Sequence, residues 1–289
     1  MFAFIAANRR TYAIQMMCAL YGVSRGGFYA WQSRQPSARS SQDARLTERI
    51  RTVHAQSRGA YGSPRVARQL RCEGESVGRR RVARLMRGAR LQGRSARRYH
   101  RSMVRQRAFF ASVPNQQWTQ VTQAPNQIWV GDVTYLKVAG QWRYLAVVMD
   151  RHSRRVLGWS LSARRDAALT RDALRHSVRK RPAAPGLMFH SDRGIEYAAF
   201  DYRNQLARLG ITQSMNRPGK MNDNAHMESF FHSMKAEDLH GRRFDNEAQL
   251  RQALRSYIAF YNQQRLHSAL RYLSPAAFER QRSLQPCVN

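Results

Sequence analysis

Three carboxylates and one lysine stand in settings where chemistry is possible. Asp132 lies in NQIWVGDVTYLKV, a run with Trp129, Val130, Val133, Tyr135 and Val138, residue types that favour strands. Asp192 lies in GLMFHSDRGIEY. There the apolar run Leu187–Phe189 ends at His-Ser-Asp and Gly194 follows, which reads as a buried strand, a sharp turn and a helix. Glu228 lies in NDNAHMESFFHSMKAE, where Met227, Phe230, Phe231 and Met234 recur at spacings of 3, 4 and 7, the apolar stripe of an α-helix. Between Asp132 and Asp192 are 59 residues, and between Asp192 and Glu228 are 35. Lys235 follows Glu228 by seven, so at about 100° per residue both side chains take nearly the same bearing. Two strand aspartates and a helix glutamate can converge only through the fold. Gathered, they form a hard oxygen site for Mg²⁺ or Mn²⁺. Paired ions of that kind clamp the attacking and leaving oxygens of an in-line phosphoryl transfer.

The text around these residues resembles a family. Asp132, Asp192, the 35-residue interval to Glu228 and Lys235 seven further on are similar to the DD(35)E(K/R) pattern of retroviral-integrase-like transposases. The phrases WVGDVTYL, HSDRGIEY, DNAHMESFFHSMKAE and YNQQRLHSALRYLSP, with FAFIAANRR and MMCALYGVSRGGFYAW near the start, resemble the second-reading-frame product of the bacterial insertion-sequence 3 family. That resemblance implies a ribonuclease-H-like fold with the first and fourth strands adjacent. It implies Asp132, Asp192 and Glu228 as catalytic ligands of two Mg²⁺ (or Mn²⁺), cleavage leaving a 3′-OH, and strand transfer by that 3′-OH. Inverted-repeat element ends and target DNA are the implied substrates, with a homo-oligomer pairing two ends and a first-reading-frame (OrfA) protein as partner. Around the carboxylates, Lys235 is expected on a DNA phosphate and Lys220 on DNA in the preceding loop. His190 and Asn224 are expected in supporting positions, His190 orienting Asp192 or the attacking water. The family more often has Thr or Ala where Gly131 stands, and Gly where Arg271 stands.

Composition points to the same class of partner. The chain of 289 residues carries 50 Lys and Arg against 18 Asp and Glu, a formal charge of +32. An enzyme of small neutral molecules has no use for that excess, and a polyanion, nucleic acid before membrane, is the first reading. Cys18, Cys72 and Cys287 are far apart and form no CxxC pair, so neither structural zinc nor a disulfide framework is expected. No apolar run reaches the roughly 18 residues of a membrane span, and the expected place is the bacterial cytoplasm, on the nucleoid.

Organisation follows from punctuation and charge. Residues 1–35 read as a helix-turn-helix-like pair, with Gly22 breaking the first helix and Ser24 capping the second. After a linker over Pro36–Ser41, residues 42–92 form a second basic helical unit, with Ser63 and Ser76 as expected caps and Pro64 at a first helical position. In it Arg79, Arg80, Arg81 and Arg84 lie on the polar side without a nearby balancing acid and are expected on DNA phosphates. Residues 93–125 are a basic linker, 126–262 the catalytic core and 263–289 a tail. The core reads as three antiparallel strands, then strands alternating with helices, a mixed α/β sheet. Asp150 is expected in an ion pair with Arg151, Arg154 or Arg155, and Asp223 as a helix cap. Two other functions fit the same fold: a catalytically silent DNA-binding repressor and a ribonuclease-H-type nuclease.

Overall fold

In the computed structural model, residues 1–35, 37–94, 113–217 and 221–283 are described. Strands β1 (Ile128–Val138), β2 (Gln141–Asp150) and β3 (Val156–Ser162) form an antiparallel meander, as their short connections require. At the β1–β2 turn Ala139 and Gly140 both take positive φ, 45° and 81°, the hairpin geometry that matches strand twist. The chain then passes through α7 (Ala167–Lys180) to β4 (Met188–Ser191), which lies parallel to β1. Helices α8 (Ile195–Ala198) and α9 (Phe200–Arg208) lead to β5 (Thr212–Met215), parallel to β4. The order β3-β2-β1-β4-β5 is the ribonuclease-H-like sheet, with first and fourth strands side by side.

Alternation along β1 splits the core in two. Ile128, Val130, Leu136 and Val138 pack with Met227, Phe230 and Met234 of α10 (Ala225–Met234) and with Leu250, Leu254, Tyr257 and Ile258 of α11 (Glu247–Gln263). Trp129 packs on the other face, with Leu169, Ala173 and Leu174 of α7 and Tyr202 and Leu206 of α9. Each fully buried large side chain contributes about 1.5–3 kcal/mol. Edge strand β3 is blocked by Asn262, whose amide accepts from Val156 N and donates to Val156 O, both at 2.9 Å, a covered edge rather than an open template.

Two further clusters lie upstream. Helices α1 (Phe2–Asn8), α2 (Ile14–Leu20) and α3 (Arg25–Ser33) close on Ile5, Met17, Cys18 and Phe28, and Ser24 Oγ accepts from Gly27 N at 3.0 Å, the expected cap. Helices α4 (Ala38–Gln56), α5 (Ser63–Cys72) and α6 (Arg79–Gly88) enclose Ile50, Val66, Leu70, Val82 and Met86. Here the boundaries differ from expectation. Ser37 caps α4, accepting from Ser40 N at 3.2 Å, so most of the Pro36–Ser41 stretch is helix. Gly62 and Gly78, not Ser63 and Ser76, are the N-caps of α5 and α6. The basic linker expected over 93–125 lies outside the described residues from 95 to 112.

The α4–α6 unit is seated on the core. Tyr61 OH donates to Gln264 O at 3.2 Å and accepts from Leu266 N at 2.8 Å. Arg58 donates to Ser256 Oγ at 2.9 Å, and Arg94 to the carbonyl of Glu237. Behind this contact, one π-helical turn, Lys235–Leu239, extends α10. The widened turn, a local feature often found near functional sites, sends Glu237 inward. Arg265 donates to both its carboxylate oxygens, at 2.7 and 2.6 Å, and Tyr257 OH donates at 2.9 Å. At the tail, Arg271 and Tyr272 have φ of 55° and 61°. Left-handed backbone of this kind is where glycine is favoured, the residue expected at position 271 from the family resemblance. Helix α12 (Pro275–Ser283) follows. Among the described residues no helix is long and apolar enough to cross a membrane.

His267 makes this network pH-sensitive. Its ring lies 4.7 Å from that of Tyr261 and faces Arg265 Nη1 at 3.3 Å. Burial, with Arg265 close by, pushes its pKa down to about 2. The folded state therefore keeps it neutral while an unfolded imidazole, near 6.5, takes a proton. Stability falls as pH drops below about 6.5 and continues to fall toward 2. Thermal melting between pH 7.5 and 5 is expected to show this decline, and His267→Gln to reduce it, leaving the share of buried His190 and His226, both pushed down to about 4.

Candidate active site

Past the last paired position of β1 and β4, Gly131 opposite Ser191, the next residues on the two strands are Asp132 and Asp192. Parallel pairing thus sets them side by side at the point where β4 stops and β1 runs on. Asp132 accepts from Val133 N at 2.7 Å. Asp192 accepts from Gly194 N at 3.0 Å. The Asp132 carboxyl is held well above the usual carboxylate range, first by burial and then by the Asp192 charge. Asp192 is raised too, by burial and then by Glu196. Two carboxylates that resist ionising together are a donor set whose strain a divalent cation relieves.

Gly131 makes room at this corner. A Cβ there would meet Phe189 Cε1 at 3.0 Å and Tyr197 OH at 3.3 Å. The Phe189 ring fills the space that Thr or Ala would need, which accounts for this departure from the family's habit.

Helix α10 runs along the β1 edge that β4 leaves open. At its start Asn224 donates to Gly131 O at 3.0 Å. At its end Lys235 Nζ lies 4.9 Å from the Tyr135 ring centroid. Glu228 is four residues after Asn224 and seven before Lys235, on the stripe between these two anchors. Its side chain is exposed, and no described residue bonds to it. Among the described residues no three Asp, Glu, His or Cys side chains are close enough to hold one ion. The fold brings Asp132 and Asp192 together, and Glu228 stands exposed on α10 outside that pair. Glu237 and Asp238, the competing partners for Lys235, are taken by Arg265 and by Arg58 and Arg242. Burial lowers the Lys235 pKa, and the Asp132 charge offsets this only in part.

Several expectations need correcting. His190 is buried, with Nδ1 at 2.9 Å from Ser214 Oγ and Nε2 at 2.7 Å from Asn216 Oδ1. It straps β4 to β5 and neither nitrogen meets Asp192. Asp150 is in an ion pair, but with Arg181 at 3.2 Å. Its other partners are the backbone N–H groups of Asn126, His152 and Ser153 and the Ser153 hydroxyl. Asp223 caps nothing. It clasps Arg217 at 2.9 Å and accepts from Asn115 at 2.7 Å, and the Arg217 guanidinium holds its pKa down at about 2. Arg81 and Arg84 are not without a balancing acid, because both pair with Asp43. Arg79 and Arg80 stay exposed. Lys220 lies outside the described residues.

One pair escaped the sequence reading. Arg165, in the segment before α7, donates Nε and Nη2 to Glu196 Oε1, at 2.9 and 2.7 Å. The Glu196 side chain is fully buried, and its Oε2 has no partner. A Cβ on Gly194 would lie 2.6 Å from Glu196 Oε1 and 3.0 Å from Asp192 Oδ1, so the two acids are neighbours. Arg165 therefore stands beside Asp132 and Asp192. The acid four residues after Asp192 was a visible signal. One arginine among so many was not.

Comparison with known proteins agrees with this architecture. Residues 122–221 and 209–275 match integrase core domain families, and 41–99 match an HTH-like domain. The insertion element IS600 31 kDa protein of Shigella sonnei is 39% identical over 264 residues, 91% of this chain and 97% of that protein. Transposase InsF for insertion sequence IS3A of Escherichia coli (strain K12) is 36% identical over 283 residues, 96% of this chain and 98% of that protein. A solved HTLV-2 integrase catalytic core domain in complex with magnesium superposes with a TM-score of 0.42 at 18% identity, over 54% of this chain and 98% of that one. The fold and site define a polynucleotidyl transferase core with an appended helical DNA-binding region. The chain belongs to the insertion-sequence 3 family of transposases.

Proposed function

We propose that this protein cuts DNA at the ends of an insertion sequence and joins the freed 3′-OH to a target phosphodiester. Asp132, Asp192 and Glu228 would hold Mg²⁺ or Mn²⁺, in a pair. When bound, such ions activate the attacking oxygen and neutralise the charge that develops on the phosphate. The observation that carries this reading is the parallel β1–β4 register, which seats Asp132 beside Asp192; Glu228 would join them from α10. Lys235 holds a phosphate near the scissile bond. Asn224 ties the start of α10 to β1, so that Glu228 approaches on a fixed element. The substrates are inverted-repeat ends and target duplex DNA, met by a homo-oligomer on the nucleoid, with a first-reading-frame protein adding end recognition.

The test is a labelled duplex carrying the element's own terminus, incubated with the full chain and Mg²⁺ or Mn²⁺. Nicking at the end followed by joining supports the reading, and chelation is expected to stop both. Binding without reaction would favour the repressor, and cutting of RNA–DNA hybrids without joining would favour a nuclease.

Arg79 and Arg80 give a separate expectation. Each neutralises about one phosphate, so replacing either with Ala should reduce the slope of log affinity against log salt by about 1. Arg81→Ala and Arg84→Ala should change it less, because Asp43 already engages both. Anisotropy across a sodium chloride series measures this.

A further inference from the structure

The β1–β2 hairpin carries an aromatic surface beyond the catalytic pair that the reaction so far leaves unused. Tyr135 and Trp142 are 44% and 51% exposed. Tyr135 pairs in register with Tyr144, and Lys137 with Trp142. Strand alternation then puts Tyr135, Lys137 and Trp142 on one face of the hairpin. The two rings meet edge to face, 5.1 Å apart at 89°. A cation stands at each end: Lys235 Nζ is 4.9 Å from the Tyr135 centroid and Lys137 Nζ is 5.8 Å from that of Trp142.

The cations are lysines, which this chain otherwise avoids. Four of its 50 basic residues are Lys, and two of those four are here. A lysine ammonium is a compact charge on a flexible stem, so it can leave a ring for a nearby phosphate. The row starts near the active site. Tyr135 is three residues along β1 from Asp132, on the order of 10 Å and on the other face of the strand, and Lys235 reaches its ring from the end of α10. A cross-strand aromatic pair alone would steady the hairpin. That role explains neither the half-exposed rings nor the ammonium at both ends. Aromatic faces interleaved with cations, beside a site that handles a polyanion, suit a strand whose bases are unstacked.

We propose that Tyr135, Trp142, Lys137 and Lys235 form a binding site for an unpaired nucleotide of the DNA strand next to the reacting phosphodiester. The base stacks on the rings, and the two ammonium groups move onto the flanking phosphates. A paired base hides its faces in the duplex, so the site favours ends whose terminal pairs are open. This rests on the transposase reading above.

The experiment is a binding assay in EDTA, where no reaction runs. Labelled terminal duplexes, fully matched or mismatched at the last two pairs, are titrated with the full chain. A 2-aminopurine at an unpaired position reports stacking. The wild type is expected to bind the mismatched end at least about fivefold tighter and to quench the probe. Tyr135→Leu with Trp142→Leu should remove both effects and leave matched-duplex affinity and melting unchanged. Should that double variant fold poorly, Lys137→Gln should still lower the preference, and Trp142→Phe should keep the quenching. Equal affinity for both ends in the wild type overturns the proposal, as does a preference that survives loss of the rings, or loss of both affinities together in a folded variant. Cleavage by the wild type without the preference sinks this site alone. Preference without cleavage in the metal assay sinks the transposase reading alone.

Discussion

Glu228→Gln is expected to abolish end cleavage and strand transfer together, by about 10³-fold or more, on the order of 4 kcal/mol of barrier, while DNA affinity stays within about twofold. The amide keeps the shape of the side chain and removes the charge that a divalent cation would use. Its context makes the experiment clean. Glu228 is exposed and makes no hydrogen bond or ion pair with a described side chain, so the change should leave melting within about 0.5 kcal/mol of wild type. Asp132→Asn would be less clean, since Asp132 is partly buried and accepts from Val133 N. The measurement is the labelled-terminus assay beside anisotropy on the same DNA. A variant that still cuts and joins at wild-type rates would remove Glu228 from the site.

The second large effect concerns stability. Arg265→Met leaves Glu237 buried without its cation, and should cost about 3–5 kcal/mol. In a chain of this size that lowers the melting temperature by on the order of 10 °C. The cause is asymmetric. A buried ion pair adds little over an apolar pair, but half of one is expensive. Combining Arg265→Met with Glu237→Gln should therefore recover much of the loss. The damage should also reach the helical unit upstream, because Arg94 is bonded to the Glu237 carbonyl and Tyr61 to Leu266 N. Calorimetry of the single and double variants checks the sign. A single variant as stable as wild type would mean that Glu237 finds water or another partner.

The elements that carry the site were readable one by one. β1 announced itself through alternation and aromatic content, and α10 through its apolar stripe. Asp132 and Glu228 could therefore be placed on a strand and a helix before any contact was known. The failures are of one kind. Asp150 was given the nearest arginines in the chain and takes Arg181 instead. Asp223 was made a cap because it precedes a helix, yet it clasps Arg217. Arg81 and Arg84 looked unbalanced because Asp43 is about forty residues away in the chain. A short-range reading assigns partners by proximity in sequence. Ion pairs form by proximity in space, and an excess of arginine supplies many candidates for each acid.

By itself the amino-acid sequence determined the periodicities, and so the strands, the helices and the face of each that is buried. Hydrophobic burial acts on local pattern, and that pattern is written residue by residue. Short connections already made β1, β2 and β3 neighbours, but the tertiary structure decided that β4 lies against β1. Placing β4 against β1 closes a long loop, and that contact is chosen by how α7, α9 and α10 pack on the two sheet faces together. The same packing set Arg165 and Glu196 beside the aspartates, and left Tyr135 and Trp142 about half exposed on the β1–β2 hairpin.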